Sequence, residues 1–268
     1  MGRLEGKVAI ITGAARGNGE GAARVMAREG AIVILTDVLD KVVETTKSIT
    51  GQGYKAASFK MDVSKPVEVS RVVESVLEQF GKVDILVNNA GVTRLVSLLD
   101  MTDEVRDKIF DVNIKGVFNC AKAVLPSMIK RKYGKIINIS SVTGPLVADF
   151  GETAYSATKG AVWGFTRSLA LEVAQYGINV NAICPGFIET PMLIEAASDT
   201  SSKDLESTVK QLARGIPMGR LGTIEELGEL VAFLASDESK YITGTPIIID
   251  GGSTIPESHG AATPGSWV

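Results

Sequence analysis

The chain has 268 residues, of which 45% are hydrophobic and 22% charged, and its formal net charge is −3. This balance is typical of a globular protein that is long enough to bury a large core without disulfides. A weakly acidic chain lacks the basic surface that nucleic acid needs, and no apolar run approaches the ~20 residues of a membrane span. Because the first residues include no apolar targeting segment, we expect a cytoplasmic protein.

Two scarce residue types exclude several kinds of active site. Cys120 and Cys184 are the only cysteines, and both lie in apolar runs that predict buried, reduced thiols. The only histidine, His259, lies in a segment rich in Pro and Gly. The chain therefore has too few histidines and cysteines to favour a Ser-His-Asp triad or a catalytic zinc site, and no metal is expected. Acid–base chemistry would fall to Tyr, Lys, Asp or Glu.

Short apolar and β-branched runs alternate with longer amphipathic segments along the chain. The short runs predict seven strands, near residues 8–12, 31–36, 54–60, 85–88, 135–140, 179–184 and 246–250. Helices are predicted between them, near 17–29, 39–50, 66–80, 102–131, 153–176, 203–214 and 223–236. Continuous apolar strands that alternate with helices indicate a parallel sheet covered on both faces. We predict a single-domain, doubly wound α/β fold of Rossmann type over residues 1–252, followed by a tail over 253–268.

A glycine-rich turn connects the first predicted strand to the first helix. Its glycines are Gly13, Gly17 and Gly19, with Arg16 and Asn18 between them. Glycine lets the backbone approach a phosphate closely, and the following helix N-terminus supplies free N–H groups. A tight strand-to-helix turn also needs glycine, so the pattern alone is weak evidence. Its position after the first strand favours a dinucleotide site.

The residue at the end of the second predicted strand bears on which dinucleotide is bound. Asp37 follows the glycines by about 20 residues, where a carboxylate accepts hydrogen bonds from an adenosine ribose. The 2′-phosphate of NADP would meet this negative charge. We therefore expect NAD to be preferred over NADP. Arg16 is the complication, since it either reaches toward a 2′-phosphate or serves only as a solvated or ion-paired side chain.

Further motifs then follow in a fixed order along the predicted elements. They are Asp62-Val63, Asn88-Asn89-Ala90-Gly91, Asn113, Ser140-Ser141, Tyr155-x3-Lys159 and Pro185-Gly186-x3-Thr190. Together with Thr-Gly-x3-Gly-x-Gly, this series resembles the short-chain dehydrogenase/reductase family over roughly residues 6 to 252. Asn18 departs from the family, which most often has Ile there. Within the family, the string around Tyr155 and the tail after Gly252 are similar to a bacterial subgroup of general oxidoreductases.

The resemblance implies a set of cofactor contacts. Asp62 and Val63 would hold the adenine, and Asn89, Ala90 and Gly91 would pack against the adenosine side. Pro185, Gly186, Ile188 and Thr190 would surround the nicotinamide, the last two binding its carboxamide. From the residues alone, Asp62 can equally be an Asx turn before a helix, and Asn88-Asn89 a polar turn that ends a strand.

Tyr155 and Lys159 are the predicted catalytic pair. Their i, i+4 spacing places both side chains on one helix face, shortly after the fifth strand, where open α/β sheets form ligand crevices. A phenol of pKa near 10 is a poor base at neutral pH, and a nearby ammonium together with the positive nicotinamide ring would favour the phenolate. Ser141 would donate to the substrate oxygen, with Ser140 as the neighbouring alternative. By the resemblance, Asn113 holds a water that relays the proton, and Lys159 also binds the nicotinamide ribose.

The expected substrate is a small alcohol or ketone bound in a fairly apolar pocket. Its predicted contacts are Ser141, Thr143, Phe150, Tyr155, Phe187, Met192 and Leu193. We expect a neutral hydrophobic compound such as a hydroxysteroid. Two alternatives remain open, a 3-oxoacyl-thioester reductase and a non-catalytic NAD-binding regulator on the same fold. The resemblance and the frequency of closed symmetry favour a homotetramer.

Overall fold

A computed structural model describes residues 2–191, 193 and 205–256 of the chain. The strands are β1 (Val8–Thr12), β2 (Ile32–Asp37), β3 (Ala56–Lys60), β4 (Ile85–Asn88), β5 (Gly134–Ile139), β6 (Ile178–Pro185) and β7 (Pro246–Ile249). The helices are α1 (Gly17–Arg28), α2 (Lys41–Thr50), α3 (Pro66–Phe80), α4 (Asp103–Phe110), α5 (Gly116–Arg131), α6 (Thr153–Val173), α7 (Leu205–Arg214) and α8 (Ile224–Ala235). None of these helices is long and apolar enough to cross a bilayer.

The strands form one parallel sheet in the order β3-β2-β1-β4-β5-β6-β7. All residues of β1, β4 and β5 are buried, as their continuous apolar sequences predict for strands covered on both faces. One core joins the sheet to α1, α2 and α8, and the other joins it to α3, α5 and α6. The predicted doubly wound Rossmann-type fold is therefore confirmed.

Helices α1 and α8 approach each other closely on the first face. A Cβ atom at Gly21 would lie 2.3 Å from the carbonyl oxygen of Ile224, and one at Gly228 would lie 2.8 Å from that of Gly21. Helix α8 itself begins in the capping box that its sequence predicts, with Thr223 and Glu226 each accepting from the other's backbone N–H. This packing fixes the direction of α1, whose N-terminus begins the candidate site.

The helix predicted near 102–131 is present as an uninterrupted helical run over residues 103–131, with one irregular turn. The structure divides it into α4 and α5, with a π-helical turn over Asp111–Lys115 between them. A π turn accommodates an extra residue in a helix and is frequent at functional sites. Here it contains Asn113, whose side chain is bound to neighbouring segments rather than exposed.

Strand boundaries shift by one or two residues at several places. The third strand begins at Ala56 instead of residue 54, because β3 lies at the sheet edge and pairs only with β2. Residues 203–204 of the helix predicted near 203–214 and residues 257–268 of the predicted tail lie outside the described residues.

Candidate functional site

The sheet order reverses between β1 and β4, whose carboxyl ends open on the same edge. Chains that leave β1 and β4 turn to opposite faces, which creates a crevice at this point. The glycine turn follows β1, and the Asn88-Asn89 motif ends β4. The sequence motifs therefore converge on the one edge of the sheet where doubly wound folds bind ligands.

The glycine turn requires its glycines for two different reasons. Gly13 and Gly17 adopt left-handed backbone conformations, with φ of +63° and +61°. Gly19 needs space instead, because a Cβ there would lie 2.3 Å from the Gly13 carbonyl oxygen and 2.5 Å from Asn89 Nδ2. Helix α1 begins at Arg16 without a side-chain cap. Its first N–H groups therefore remain available to an anion, which fits a dinucleotide diphosphate.

Asn18 provides a second indication of a polar ligand. Its Oδ1 atom is buried and has no hydrogen-bond partner in the described part of the chain. A buried acceptor without a partner costs about 1–3 kcal/mol, so an orphan at this turn is unusual unless a ligand completes it. The residue that departs from the family pattern thus fits a cofactor contact as well as the usual Ile does.

Asn89 binds the two halves of the crevice together. Its side chain donates to the carbonyl oxygens of Thr12 and Gly13, both at 2.9 Å, and its backbone N–H donates to Thr12 Oγ1 at 3.0 Å. Asn88 lies in the interior and donates to Asn138 Oδ1 at 2.9 Å. Neither asparagine is a merely polar turn residue. Asn89 holds the shape of the glycine turn, and Ala90 contacts that turn at Gly13.

The two acidic residues of the predicted adenosine site are both held in fixed orientations. Asp37 is 9% exposed and accepts from the backbone N–H groups of Ala15 and Leu39, both at 3.0 Å. Asp62 forms the Asx turn that the alternative interpretation predicted, since its Oδ1 accepts from Ser64 N and Ser64 Oγ. That turn does not exclude an adenine contact through the second oxygen. The neighbouring Val63 is buried in the core, 6% exposed.

The segment after β6 closes the other side of the crevice. Gly186 packs so tightly on Asp250 that a Cβ would lie 2.7 Å from the aspartate Cβ. Ile188 is buried and bridges to Gly222, while Thr190 approaches the glycine turn at Gly17 and accepts from Leu193 N at 3.3 Å. Pro185 ends β6 and accepts from Val142 N at 3.0 Å. These contacts place residues 185–190, which the resemblance assigns to the nicotinamide, at the opening of the crevice beside the glycine turn.

Tyr155 and Lys159 lie on one face of α6, as their spacing predicts. Lys159 Nζ is 5.4 Å from the centre of the Tyr155 ring and donates to the Ile139 carbonyl oxygen at 2.8 Å. That carbonyl belongs to the last residue of β5, so the lysine is anchored to the sheet edge. Lys159 is only 5% exposed. Its ammonium is fixed between the sheet and the phenol.

The protonation states differ from the sequence expectation. Burial raises the pKa of Tyr155 to about 12, and the carboxylates of Glu152 and Asp149 add to that shift. Burial also lowers the pKa of Lys159 to about 8. The sequence-based expectation assigns the phenolate to Lys159 together with an oxidised nicotinamide ring, and in the chain by itself desolvation of the phenolate is the largest influence on this pKa. The residues present favour a protonated Tyr155.

The structure separates the two candidate serines. Ser140 is buried and donates to the backbone carbonyl oxygen of Lys159 at 2.9 Å, which stabilises α6 against β5. Ser141 accepts from Thr143 N at 3.1 Å, and its hydroxyl lowers the pKa of Tyr155 through a side-chain hydrogen bond. Ser141 is therefore the serine beside the phenol, in agreement with the sequence choice.

The side-chain amide of Asn113 forms hydrogen bonds through both its oxygen and its nitrogen. Its Oδ1 accepts from Val92 N at 2.8 Å, and its Nδ2 donates to the Val92 carbonyl oxygen at 2.9 Å and to Thr158 Oγ1 at 3.1 Å. Asn113 is 1% exposed. It connects the loop after β4 to α6, one residue before Lys159. A water held by this residue would have to bind its backbone, since the amide is occupied.

The predicted apolar pocket is only partly supported. Thr143 is buried, and Phe187 and Leu193 are partly buried beside the mouth. Phe150 is 95% exposed, so it does not form a wall of the cleft. The physical reason is a turn over residues 149–152, in which Glu152 N donates to the Asp149 carbonyl oxygen at 3.4 Å and Gly151 has a φ of +78°, so that both Asp149 and Phe150 lie exposed. Met192 lies outside the described residues.

The sequence analysis missed a polar group at this mouth. Asp149 Oδ2 accepts from Thr143 Oγ1 at 2.9 Å, and Glu152 Oε1 accepts from Thr93 Oγ1 at 3.3 Å. The sequence does place Glu152 close to the site, because it precedes Tyr155 by three residues and is the N-cap of α6. No group of three or more His, Cys, Asp or Glu side chains suited to a metal occurs in the described ranges.

Known proteins resemble this chain over almost its whole length. A family model described as enoyl-(acyl carrier protein) reductase matches residues 13–254. The chain is 54% identical over 258 residues to the oxidoreductase UcpA of Salmonella typhimurium, covering 96% of this chain and 98% of UcpA. It is 44% identical over 260 residues to the 3-oxoacyl-(acyl-carrier-protein) reductase FabG of Thermotoga maritima, covering 94% of this chain and 100% of FabG.

Solved structures give the same result for the fold. The crystal structure of levodione reductase superposes with a TM-score of 0.89 at 32% identity, covering 94% of this chain and 98% of that one. The crystal structure of gox2181 superposes with a TM-score of 0.88 at 36% identity, covering 95% and 98%. With the motif order, the sheet order and these matches in agreement, the chain belongs to the short-chain dehydrogenase/reductase family of NAD(P)-dependent oxidoreductases.

Proposed function

We propose that the protein transfers a hydride between NAD(H) and a secondary alcohol or ketone, with Tyr155 as its acid–base group. The observation that carries the proposal is the convergence of four side chains at the mouth of the crevice. Lys159 lies 5.4 Å from the Tyr155 ring, Ser141 bonds to the same phenol, and Asn113 ties the neighbouring loop to α6. A fold alone does not imply catalysis, but a complete set of proton-transfer groups in one place supports it.

Each side chain has a distinct task in this reaction. In oxidation, the phenolate of Tyr155 takes the hydroxyl proton as the carbon loses its hydride, and in reduction the phenol returns that proton to the ketone oxygen. Ser141 donates a hydrogen bond to the same oxygen and stabilises its developing charge. Lys159 supplies a fixed positive charge that favours the phenolate when oxidation requires it. Asn113 keeps Val92 and Thr158 in place and offers its backbone to a relaying water.

The residues of the crevice fit a dinucleotide. The diphosphate would take the uncapped N-terminus of α1 with Asn18, and the adenosine would take Asp37, Asp62 and the loop at Ala90. Ile188 and Thr190 would border the nicotinamide. When bound, that ring supplies the hydride acceptor or donor and a positive charge in its oxidised form. A carboxylate held at Asp37 supports NAD over NADP.

For the substrate, we propose a neutral compound, with a hydroxysteroid as the leading expectation. A 3-oxoacyl thioester is the second candidate, favoured by the 44% identity to FabG of Thermotoga maritima. Asp37 argues against a biosynthetic role that relies on NADPH. A regulator without catalysis is opposed by the intact set at Asn113, Ser141, Tyr155 and Lys159.

A substrate panel with both cofactors tests the proposal. Reduced nicotinamide is followed by absorbance while secondary alcohols, ketones, hydroxysteroids and a 3-oxoacyl thioester are supplied with NAD(H) or NADP(H). The proposal expects turnover of at least one alcohol or ketone pair with NAD(H), and its loss in Tyr155→Phe. Turnover restricted to the thioester with NADPH would favour the second candidate. Cofactor binding without any turnover would favour the regulator.

For the assembly, we propose a homotetramer. Apolar side chains remain exposed on α5 and α6, where Phe118 is 54% and Leu171 is 84% exposed, and also near β7, where Ile248 is 46% and Ile255 is 83% exposed. Two separate apolar faces on one chain suit the two interfaces of a D2 assembly. The cytoplasm remains the proposed location.

A further inference from the structure

Two loops form the substrate side of the crevice, and they are tied to each other. Val96 N donates to the Gly151 carbonyl oxygen at 2.9 Å, and Thr93 Oγ1 donates to Glu152 Oε1 at 3.3 Å. The first loop is itself fixed, because Asn113 binds both backbone groups of Val92. Glu152 is therefore held at the junction of the two loops. Its partner Thr93 directly follows Val92, the residue that Asn113 holds in place.

Glu152 lies one helical turn before Tyr155, at the loop that borders the catalytic lysine. It is the N-cap of α6, with φ of −107° and ψ of 24°, and its carbonyl oxygen accepts from Ser156 N at 2.8 Å. Its Oε1 atom accepts from Thr93, two residues after Gly91, where an added Cβ would lie 3.7 Å from Lys159 Nζ. Burial is the main cause that raises the pKa of Tyr155, and the negative charge of Glu152 raises it further.

The protein leaves the Glu152 carboxylate incompletely satisfied. Its recorded partner is the Thr93 hydroxyl at the long distance of 3.3 Å, and no lysine or arginine among the described residues pairs with it. Burial raises the pKa of Glu152, and the nearby Asp149 raises it further. A carboxylate accepts about four hydrogen bonds when ionised, so most of its capacity remains. A partly buried anion of this kind is stabilised by a ligand that brings a donor.

We propose that Glu152 is a specificity-determining residue that accepts a hydrogen bond from a second hydroxyl group of the substrate, on a carbon next to the one that exchanges hydride. The inference rests on the proposed function and narrows its secondary alcohol or ketone to vicinal diols and the matching α-hydroxy ketones, in place of the hydroxysteroid expected from the sequence. An unsubstituted ketone leaves the carboxylate without a donor, and an anionic neighbour is repelled by it.

Matched substrate pairs test this inference. Cyclohexanol is compared with trans-cyclohexane-1,2-diol, and 2-butanol with 2,3-butanediol, as kcat/KM with NAD. The wild type is expected to prefer the diol of each pair by about 10-fold or more, the value of one charge-assisted hydrogen bond. Glu152→Gln keeps the shape and removes the charge, so it should lower kcat/KM for the diols by a similar factor. Because the charge of Glu152 also raises the pKa of Tyr155, its removal acts on both members of a pair, so the diagnostic quantity is the ratio of kcat/KM for the diol to kcat/KM for the mono-alcohol, which should fall by about 10-fold.

Glu74→Gln is the matched control, since Glu74 is an exposed carboxylate on α3 and is not part of the proposed site. It should leave the preference unchanged. A wild type that uses its panel substrates without any gain from the neighbouring hydroxyl overturns the inference. So does a Glu152→Gln variant that loses activity equally on both members of a pair, because the carboxylate would then support only the helix N-terminus. Inactivity on every panel member would instead contradict the proposed function itself.

Discussion

Neutralising Asp37 should shift cofactor use from NAD(H) toward NADP(H). The carboxylate is 9% exposed and oriented by two backbone N–H groups, so it cannot swing away from a nearby ligand without losing both bonds. A 2′-phosphate carries a charge near −2 at pH 7. At ~4 Å and an effective dielectric constant of ~20, each pair of unit charges repels by about 4 kcal/mol. Even if solvent reduces the total to ~3 kcal/mol, the discrimination exceeds about 100-fold.

The assay is kcat/KM for NAD(H) and NADP(H) on one substrate, in the wild type, Asp37→Asn and Asp37→Ser. Asp37→Asn keeps an oxygen acceptor for one backbone N–H and removes the charge, so it isolates the repulsion. Asp37→Ser also removes the acceptors and should lower the stability by about 1–3 kcal/mol. Both should raise NADP(H) use and lower NAD(H) use. A wild type that already prefers NADP(H) would refute the reasoning, since Arg16 or another basic group would then outweigh Asp37.

Three further perturbations test other parts of the structure. Lys159→Met should move the rising limb of the kcat/KM–pH profile for alcohol oxidation to higher pH, because the Tyr155 phenolate loses its fixed cation, and it should also weaken cofactor binding. An unchanged pH profile would argue against the pairing of Lys159 with Tyr155. Asp84 lies at the opposite edge, where burial would raise its pKa but Val8 N, Lys82 and Arg131 hold that pKa below its usual value. Asp84→Asn should therefore cost about 1–3 kcal/mol near pH 7, and the wild type should lose the same contribution as pH falls below about 4; chemical denaturation measures both. Phe118→Asp should dissociate the proposed tetramer, since the Phe118 ring is 54% exposed and its centroid lies 4.5 Å from that of the Phe165 ring, with which it forms an apolar patch. Sedimentation that shows an intact tetramer would place the interface elsewhere.

Most of the fold could be predicted because the signals were local and repeated. Continuous apolar strands gave the parallel sheet, and the glycine turn after β1 gave the crevice. The i, i+4 spacing of Tyr155 and Lys159 placed both on one face of α6. These predictions depend on backbone periodicity and on turn chemistry, which the sequence carries directly.

Features that depend on tertiary contacts were missed. The π turn at Asn113 arises from hydrogen bonds to Val92 and Thr158, which are distant in sequence. The pKa of Tyr155 follows from burial that no local pattern reveals. Phe150 was expected inside a pocket because it is apolar, whereas the turn over residues 149–152 leaves it exposed. Glu152 was overlooked because a carboxylate before a helix is common, and only the folded chain shows its proximity to the phenol.

The most direct test of the central claim is the turnover of Tyr155→Phe, measured as kcat with saturating NAD(H) and the best substrate of the panel. Phe keeps the ring's packing beside Lys159 and deletes only the hydroxyl that transfers the proton. Positioned acid–base catalysis contributes 10²–10⁴-fold, so kcat should fall by at least about 100-fold while the thermal midpoint and the NAD(H) dissociation constant stay near their wild-type values. A variant that retains more than about a tenth of the wild-type kcat would contradict the assignment of Tyr155.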